Sequence, residues 1–264
     1  MKALNLLLGL ACSVAAAPPA AQAQVRSVAP QGYWYEKIKH NGISPFIPDG
    51  KNWTVFRNVK TDFGAIGDGK ADDTSAIQAA LDFVSADGNQ TRRDGGFGTT
   101  GAPAVVYLPG GTYRLSKPIH SYVQTVVVGD PTNMPILQAA PDFPASEKFL
   151  FYGFDSNYDS TINFYIGLRN VVLDSTLVPP SQNITLLDWA VSQNVQLSNV
   201  AFRMVKGGTA HTGLSMPEGG SPLMMNDLVF EGGSVGIRMN EQQYHFKGLT
   251  FKSSFAHIPV ECSG

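Results

Sequence analysis

Carboxylate side chains are the groups in this sequence best suited to acid–base chemistry, and they occur in a few short clusters. Asp72-Asp73 is an adjacent pair, Glu218 and Glu231 each precede two glycines, and Glu241 opens a Glu-Gln-Gln run. Two carboxyl groups with different pKa values can serve as the acid and the base of one reaction. Helix capping explains Asp72-Asp73 more simply, because an amphipathic pattern follows it directly. Turn positions are the simpler explanation for the three glutamates.

Other catalytic chemistries have less support. The five histidines lack the spacing of metal ligands; they are His40, His120, His211, His245 and His257. The predicted strands contain few acidic residues, which disfavours a calcium site. Neither a Gly-x-Ser-x-Gly nor a P-loop pattern occurs. We therefore predict no metal and no cofactor.

The composition restricts the class of protein. Of the 264 residues, 43% are hydrophobic, which is ample for a folded core. The formal charge of -2 argues against a nucleic-acid partner, since such proteins usually have a basic excess. The 27 glycines and 17 prolines favour many turns over a helical bundle.

The first 23 residues have the pattern of a secretory signal peptide. Met1-Lys2 is basic, Ala3–Ala17 is mostly apolar, and Ala21-Gln22-Ala23 is a small-x-small cleavage motif. The apolar run is shorter than the roughly 20 residues that span a bilayer, and no other run approaches that length. We therefore expect a secreted, extracellular protein with no membrane partner.

Two further features suit that location. The acceptor triplets predict N-glycosylation at Asn52, Asn89 and Asn183, although such triplets also arise by chance. Removing residues 1–23 removes Cys12 and leaves Cys262, either as an unpaired buried thiol or with a partner outside the chain.

Residues 24–57 lack a clear period and are predicted to be an irregular lead-in that packs on the main domain. A helix is predicted after Asp72-Asp73, because Ile77, Ala80, Leu81 and Val84 share one face. Ser75 and Gln78 have the spacing of a capping box, and Asp87-Gly88 is the predicted end of the helix.

The second half of the sequence repeats one pattern four times. Each copy has an apolar residue, two polar or small residues and then apolar-x-apolar, and it begins at Leu168, Leu197, Met225 or Phe246. The shared polar or small position falls at Asn170, Asn199, Asp227 and Gly248, with separations of 29, 28 and 21 residues. Such a period is typical of stacked β units. Residues 58–264 are therefore predicted to form a single parallel β-helix domain, and the resemblance described next implies that this domain is incomplete.

The segment from Asn58 to Gln78 resembles the entry motif of the pectate-lyase-like β-helix superfamily. Five further segments narrow this resemblance; they are residues 107–113, 129–135, 163–170, 189–193 and 240–244. Together they resemble the amino-terminal half of fungal glycoside hydrolase family 55, the exo-1,3-β-glucanases, over residues 33–260. The fold class expected is all-β, a right-handed parallel β-helix with an N-terminal capping helix.

The resemblance implies a specific activity. Members of the family have two tandem β-helices and hydrolyse β-1,3-glucan in the cleft between them, with inversion at the anomeric carbon. The proton-donating glutamate belongs to the carboxy-terminal helix, for which this sequence has no counterpart. The expected partners are therefore β-1,3-glucan and the missing carboxy-terminal half, and we expect no hydrolysis by this chain alone.

The same resemblance assigns candidate site residues. Gln193 and Ser221 are candidates for holding the attacking water, because an amide and a hydroxyl can each accept a hydrogen bond. Pro222 replaces a glycine of the family and stiffens the loop beside Ser221. The candidates for sugar binding are Trp189, Glu241, Gln242 and Gln243. The alternatives are hydrogen bonds between coils for Gln193 and Ser221, and core filling for Trp189.

Two functions remain open at this stage. One is the amino-terminal β-helix of a glucan-hydrolysing enzyme, and the other is a non-catalytic carbohydrate-binding or structural β-helix. An uncapped last coil would leave Phe251, Phe255, Ile258 and Val260 partly uncovered, which favours the first.

Overall fold

The computed structural model describes residues 33–44, 53–83, 101–219, 223–240 and 243–252, and the backbone of residues 260–262. The predicted signal peptide, Cys12, Asn52 and Asn89 lie outside the described residues, as does the side chain of Cys262.

One α-helix, sixteen β-strands and two short 3-10 helices make up the described part of the chain. The helices are α1 (Thr74–Asp82) and the 3-10 helices Trp34–Lys37 and Ser160–Ile162. The strands are β1 (Phe56–Asn58), β2 (Asp68–Asp72), β3 (Ala104–Leu108), β4 (Thr112–Leu115), β5 (Ile119–His120), β6 (Thr125–Gly129), β7 (Ile136–Ala139), β8 (Phe149–Tyr152), β9 (Gly167–Asp174), β10 (Ile184–Asp188), β11 (Gln196–Arg203), β12 (His211–Met216), β13 (Leu223–Glu231), β14 (Val235–Met239), β15 (Tyr244–Lys252) and β16 (Val260–Cys262).

Every strand pair in the described residues is parallel, and the strands form three faces. The first face has the order β1-β3-β6-β9-β11-β13-β15, and β2-β4-β7 continues onto the second half of β9 as the second face. The third face has the order β5-β8-β10-β12-β14-β16. Since connections between parallel strands are right-handed, this is the right-handed parallel β-helix that the sequence repeat predicted.

A one-residue corner joins the first face to the second on the last four coils. It consists of Asn170, Asn199, Asp227 and Gly248, with φ values of 55°, 53°, 55° and 72°. Asn199 Nδ2 donates to Asn170 Oδ1 over 2.9 Å, and Asn170 Nδ2 donates to the Gly129 carbonyl over 3.3 Å. Asn, Asp and Gly tolerate this left-handed backbone best. The repeated polar position of the sequence is therefore an asparagine ladder at the corner.

Inward side chains of successive coils form continuous apolar columns. Leu168, Leu197 and Met225 are stacked in register, and all three are buried. Phe202 and Phe230 stack with ring centroids 4.7 Å apart and planes 4° apart. Such stacking fills the narrow interior and adds dispersion energy to apolar burial.

Helix α1 covers the beginning of the β-helix with Ile77, Ala80 and Leu81, which are all buried. The predicted capping box is wrong. Gln78 Nε2 instead donates to Asp82 and to the His120 carbonyl. His120 belongs to the coil next to the helix, and the sequence of the helix alone does not reveal this contact.

The Asp72-Asp73 pair has a structural role. Asp72 Oδ1 accepts from the Thr74 amide over 3.1 Å. The Asp73 carboxylate accepts from the amides of Ile66 and Gly67 over 2.6 and 3.0 Å. The helix ends at Asp82, before the predicted Asp87-Gly88, and residues 84–100 lie outside the described residues.

The lead-in places its aromatic rings on the outside of the first face. Tyr33 and Tyr35 lie 6.2 and 5.9 Å from the Tyr107 ring, and His40 stacks on Phe56 at 3.5 Å. Tyr107 is thereby fully buried although its strand position points outward. At the other end of the β-helix, Phe251 is 39% exposed. Phe255, Ile258 and the side chain of Val260 lie outside the described residues.

Candidate functional site

The candidate residues that the structure describes share one edge of the β-helix, where each third-face strand is followed by the next first-face strand. We call this the turn edge, and its described residues on three successive coils are 189–195, 217–219, 240 and 243. Trp189, Gln193 and Gln243 all lie on it. Ser221, Glu241 and Gln242 are outside the described residues. The stacking of parallel coils therefore gathers residues about 50 positions apart in sequence.

Two of these side chains face solvent. Gln193 is exposed, and its backbone carbonyl accepts from the Tyr165 amide over 3.4 Å. Gln243 is also exposed and has a left-handed backbone, with φ 69°. Its carbonyl accepts from the Leu223 amide over 3.2 Å. Both backbones are hydrogen-bonded to a neighbouring coil. The turns that carry the two side-chain amides are therefore held in place.

Trp189 does not have the exposed position that stacking on a sugar requires. The side chain is 1% exposed. A Cβ atom added to Gly153 would lie only 2.4 Å from Trp189 Cε3, so the indole is packed directly against the preceding coil. The expectation of a sugar platform is corrected here: Trp189 fills the core, because the turn directs its ring inward.

A carboxyl group that sequence reasoning missed lies beside this edge. Strand register places Asp188 between Tyr152 and Ser215 on the third face. Asp188 is 6% exposed, and its Oδ1 has no hydrogen-bond partner among the described residues. Burial, and then the negative charge of Glu218, raise the pKa of Asp188 to about 7. The sequence signal for Asp188 was its position at the end of a mostly apolar strand.

The third face continues in both directions from Asp188. His120 and Tyr152 are paired in register and stack with ring centroids 4.5 Å apart. Burial raises the pKa of Tyr152, and the charges of Glu147 and Asp188 raise it further. On the other side, Ser215 is paired with the exposed Arg238. The row therefore combines aromatic rings, a carboxyl group, a hydroxyl and a guanidinium.

Glu218 is exposed in a tightly seated turn. Gly219 has φ 103°, and a Cβ atom there would lie 2.4 Å from the Val191 carbonyl oxygen. Only glycine fits this approach. The turn that carries Glu218 is thus held against the turn that follows Trp189, which explains its electrostatic effect on Asp188.

Glu231 lies on the other side of the coil and is paired with cations. Its carboxylate accepts from Lys252 Nζ over 3.1 Å and lies 3.9 Å from Arg203 Nε. These groups line an open groove of about 580 Å³. An ion-paired carboxylate at a solvated turn agrees with the simpler explanation of Glu231.

The remaining polar candidates have structural or accessible positions. His211 is buried between the Ser175 hydroxyl and the Pro179 carbonyl, both 2.9 Å away, and burial lowers its pKa. Asn183 is exposed in the turn before β10.

Within the described ranges, no group of three His, Cys, Asp or Glu side chains is arranged to hold a metal ion. No described helix is long and apolar enough to cross a membrane.

Successive coils stack in parallel and form three sheet faces beside a polar turn edge. This architecture defines the chain as a parallel β-helix protein. Residues 56–261 match the family described as rhamnogalacturonase A/epimerase, pectate lyase-like, and the chain belongs to that family.

Curated relatives agree with the resemblance to glucanases. The chain is 40% identical over 257 residues to a probable glucan endo-1,3-β-glucosidase of Arthroderma benhamiae, covering 95% of this chain and 28% of that protein. It is 33% identical over 242 residues to a glucan 1,3-β-glucosidase of Cochliobolus carbonum, covering 89% and 30%. It is also 37% identical over 224 residues to a non-secreted LysM effector of Penicillium expansum, covering 83% and 17%. The chain thus spans less than a third of each of these relatives.

Proposed function

We propose that this chain binds β-1,3-glucan along the turn edge and forms one wall of an inverting glucan-hydrolysing site. The observation that carries the proposal is the 40% and 33% identity to proteins named for action on 1,3-β-glucan, across most of this chain. The exposed amides of Gln193 and Gln243 suit a neutral sugar, because amides both donate and accept hydrogen bonds.

Individual residues have separate roles in this proposal. Gln193, with Ser221, holds the attacking water, and Gln243, with Glu241 and Gln242, contacts the sugar. Inverting hydrolysis also needs an acid on the leaving oxygen, with the two catalytic groups about 6.5–9.5 Å apart. Asp188 is protonated near neutral pH but only 6% exposed, so a glycosidic oxygen cannot approach it. In this proposal the proton donor belongs to the carboxy-terminal half that the resemblance implies.

The test is an assay of the purified chain with laminarin. We expect no release of glucose and weak binding, with a dissociation constant in the millimolar range, about -4 kcal/mol. Gln193→Ala should weaken binding further, whereas Arg203→Ala, on the far side of the coil, should not. Turnover by the chain alone that disappears in Asp188→Asn or Glu218→Gln would refute the assignment of the proton donor.

The second candidate is a non-catalytic carbohydrate-binding or structural β-helix. The similarity to a LysM effector favours it, since that relative is not named as a hydrolase. Micromolar glucan binding by the chain alone, without turnover, would support this candidate over the first. Absence of binding to any glycan would leave a structural role.

We also propose that residues 1–23 direct secretion and that Asn183 carries a glycan. Expression in a fungal host should yield a secreted chain beginning at Gln24. Digestion with an endoglycosidase should shift its mass, and Asn183→Gln should reduce that shift. Intracellular retention of the full-length chain would contradict the proposal.

A further inference from the structure

A groove of about 480 Å³ lies on the outward side of the first face, separate from the third-face row that contains Asp188. We call it the first-face groove. Its lining includes the polar or aromatic residues Tyr165, Arg169, Asn194, Gln196 and Asn226, together with the apolar Met224. These residues come from three successive coils, so the groove runs across the strands.

Strand register explains why an opening forms here. Gly167 is aligned with Val126 on one side and Gln196 on the other. A Cβ atom at Gly167 would lie 3.1 Å from the Val126 side chain, so even a methyl group would crowd the floor. The missing side chain leaves a depression, and strands about 4.8 Å apart place Gln196 and Met224 along its length.

The hydrogen-bonding groups of the groove are arranged for a polar ligand. Arg169 and Asn226 flank Ser198 in the next aligned row, and the amides of Gln196 and Asn226 are half-buried. Arg169 Nε is buried and has no hydrogen-bond partner among the described residues. A buried donor without a partner is unusual in folded proteins. Arg169 as a whole is half-buried and lines the groove, so its guanidinium can donate to a hydroxyl oxygen of a ligand.

Tyr165 supplies an exposed aromatic surface at the edge of the groove. It is 44% exposed and has a left-handed backbone, with φ 58°. A non-glycine residue in that conformation is strained. The hydrogen bond from its amide to the Gln193 carbonyl helps to hold it there. Met224, 57% exposed, lies along the same groove.

We propose that the first-face groove is a second saccharide-binding site, which binds a neutral β-glucan segment away from the third face. An aromatic ring beside amide and guanidinium donors is suited to the apolar face and hydroxyl rim of a pyranose. The lining residues include no carboxylate, and a single arginine among three amides favours a neutral sugar over a polyanion. The identity of the sugar rests on the proposed function.

The test compares groove variants with a matched arginine variant elsewhere, using laminarin oligosaccharides and NMR titration of the full chain. Tyr165→Gly removes the ring but keeps a residue that accepts φ 58°, and Arg169→Met removes the guanidinium with little loss of apolar stem. We expect each to weaken binding at least fivefold. Arg203→Met should change it less than twofold. Thermal unfolding of each variant checks that the fold is retained.

One result would refute saccharide binding in the groove and leave the proposed function standing. In that result the folded Tyr165→Gly and Arg169→Met variants keep their laminarin affinity, while Gln193→Ala weakens it. A wild-type chain that binds no laminarin would overturn both. Tighter binding of oligogalacturonate than of laminarin, lost in Arg169→Met, would overturn the neutral-sugar assignment.

Discussion

The two ends of each first-face strand follow different rules. At the corner between the first and second faces, every one of the last four coils uses a single residue in a left-handed conformation. At the turn edge, the connections before β9, β11, β13 and β15 contain 14, 7, 6 and 4 residues, counted between the strand bounds. One edge is almost constant, and the other varies from coil to coil.

The difference reflects what each edge must do. Coils stacked about 4.8 Å apart allow no insertion at the corner, because the Asn170–Asn199 hydrogen bond requires equivalent backbones in adjacent coils. The described residues of the turn edge form no such ladder, and the lengths of its connections differ from coil to coil. Gln193 and Gln243, the described candidates for water and sugar binding, lie on this variable edge. The four predictions below test this separation, beginning with the columns that support both edges.

The largest effect is expected in the aromatic column beneath the corner. Phe230 is fully buried between Phe202 and Phe251, with ring centroids 4.7 and 5.1 Å away. Phe230→Ala should lower the free energy of unfolding by about 3–5 kcal/mol, measured by urea denaturation. Phe251→Ala is the matched control, and it should cost clearly less because Phe251 is 39% exposed. Equal losses would contradict the difference in burial between Phe230 and Phe251.

Substitutions at the corner should lower the free energy of unfolding by less than Phe230→Ala does. Asn199→Ala loses the hydrogen bond to Asn170 and places alanine at φ 53°, which together should cost about 2–3 kcal/mol. Asn199→Gly loses only the hydrogen bond and should cost roughly 1 kcal/mol. Denaturation curves that rank glycine below alanine would show that backbone conformation does not determine the corner.

The turn edge should show a pH dependence that the corner lacks. The pKa of Asp188 is about 7 in the folded chain and about 3.9 when unfolded. The folded state therefore binds more protons between these values, and stability should fall as pH rises from about 4 to 7. The slope should reach about 1.4 kcal/mol per pH unit.

Asp188→Asn is the control for that slope. It should flatten the pH profile between 4 and 7, whereas Asp174→Asn, on the second face, should not. A wild-type profile without a falling limb in this range would show that Asp188 remains ionised.

The smallest effect is expected for the outward ion pairs beyond the corner. Lys252→Ala removes a partner of Glu231 that is largely exposed. Surface pairs of this kind contribute about 0.2–1 kcal/mol, and salt screens them. Denaturation at low and high salt should show a small loss that disappears at 1 M salt. A salt-independent loss above that range would mean that Glu231 is more than a solvated turn residue.

The stack of coils could be predicted from the sequence, because each coil packs in the same way and the residue types therefore recur with the coil period. Asn170, Asn199, Asp227 and Gly248 recurred as the polar or small position of the repeat, and the structure shows that they share a left-handed conformation that few residues tolerate. The apolar face of α1 was also predicted. Its capping box was wrong, because Gln78 found partners on the next coil, and such long-range contacts leave no local signal.

The site was less predictable than the fold. Gln193 is an exposed residue on the turn edge, but whether it binds water stays a prediction. Trp189 was a candidate for sugar stacking with core filling as the alternative, and its burial decides for the core, because a tryptophan in a turn has the same sequence signature in either orientation. Asp188 and the first-face groove were missed, since both depend on register between coils.

The amino-acid sequence by itself determined the coil period, the corner residues and the apolar columns, because each coil must bury the same faces against its neighbours. Only the tertiary structure decided which turns adjoin, which carboxyl group is buried beside Glu218, and where the missing side chain of Gly167 opens a groove. Those properties depend on distances between residues about 30 positions apart in the chain, which stacking creates and no local pattern encodes.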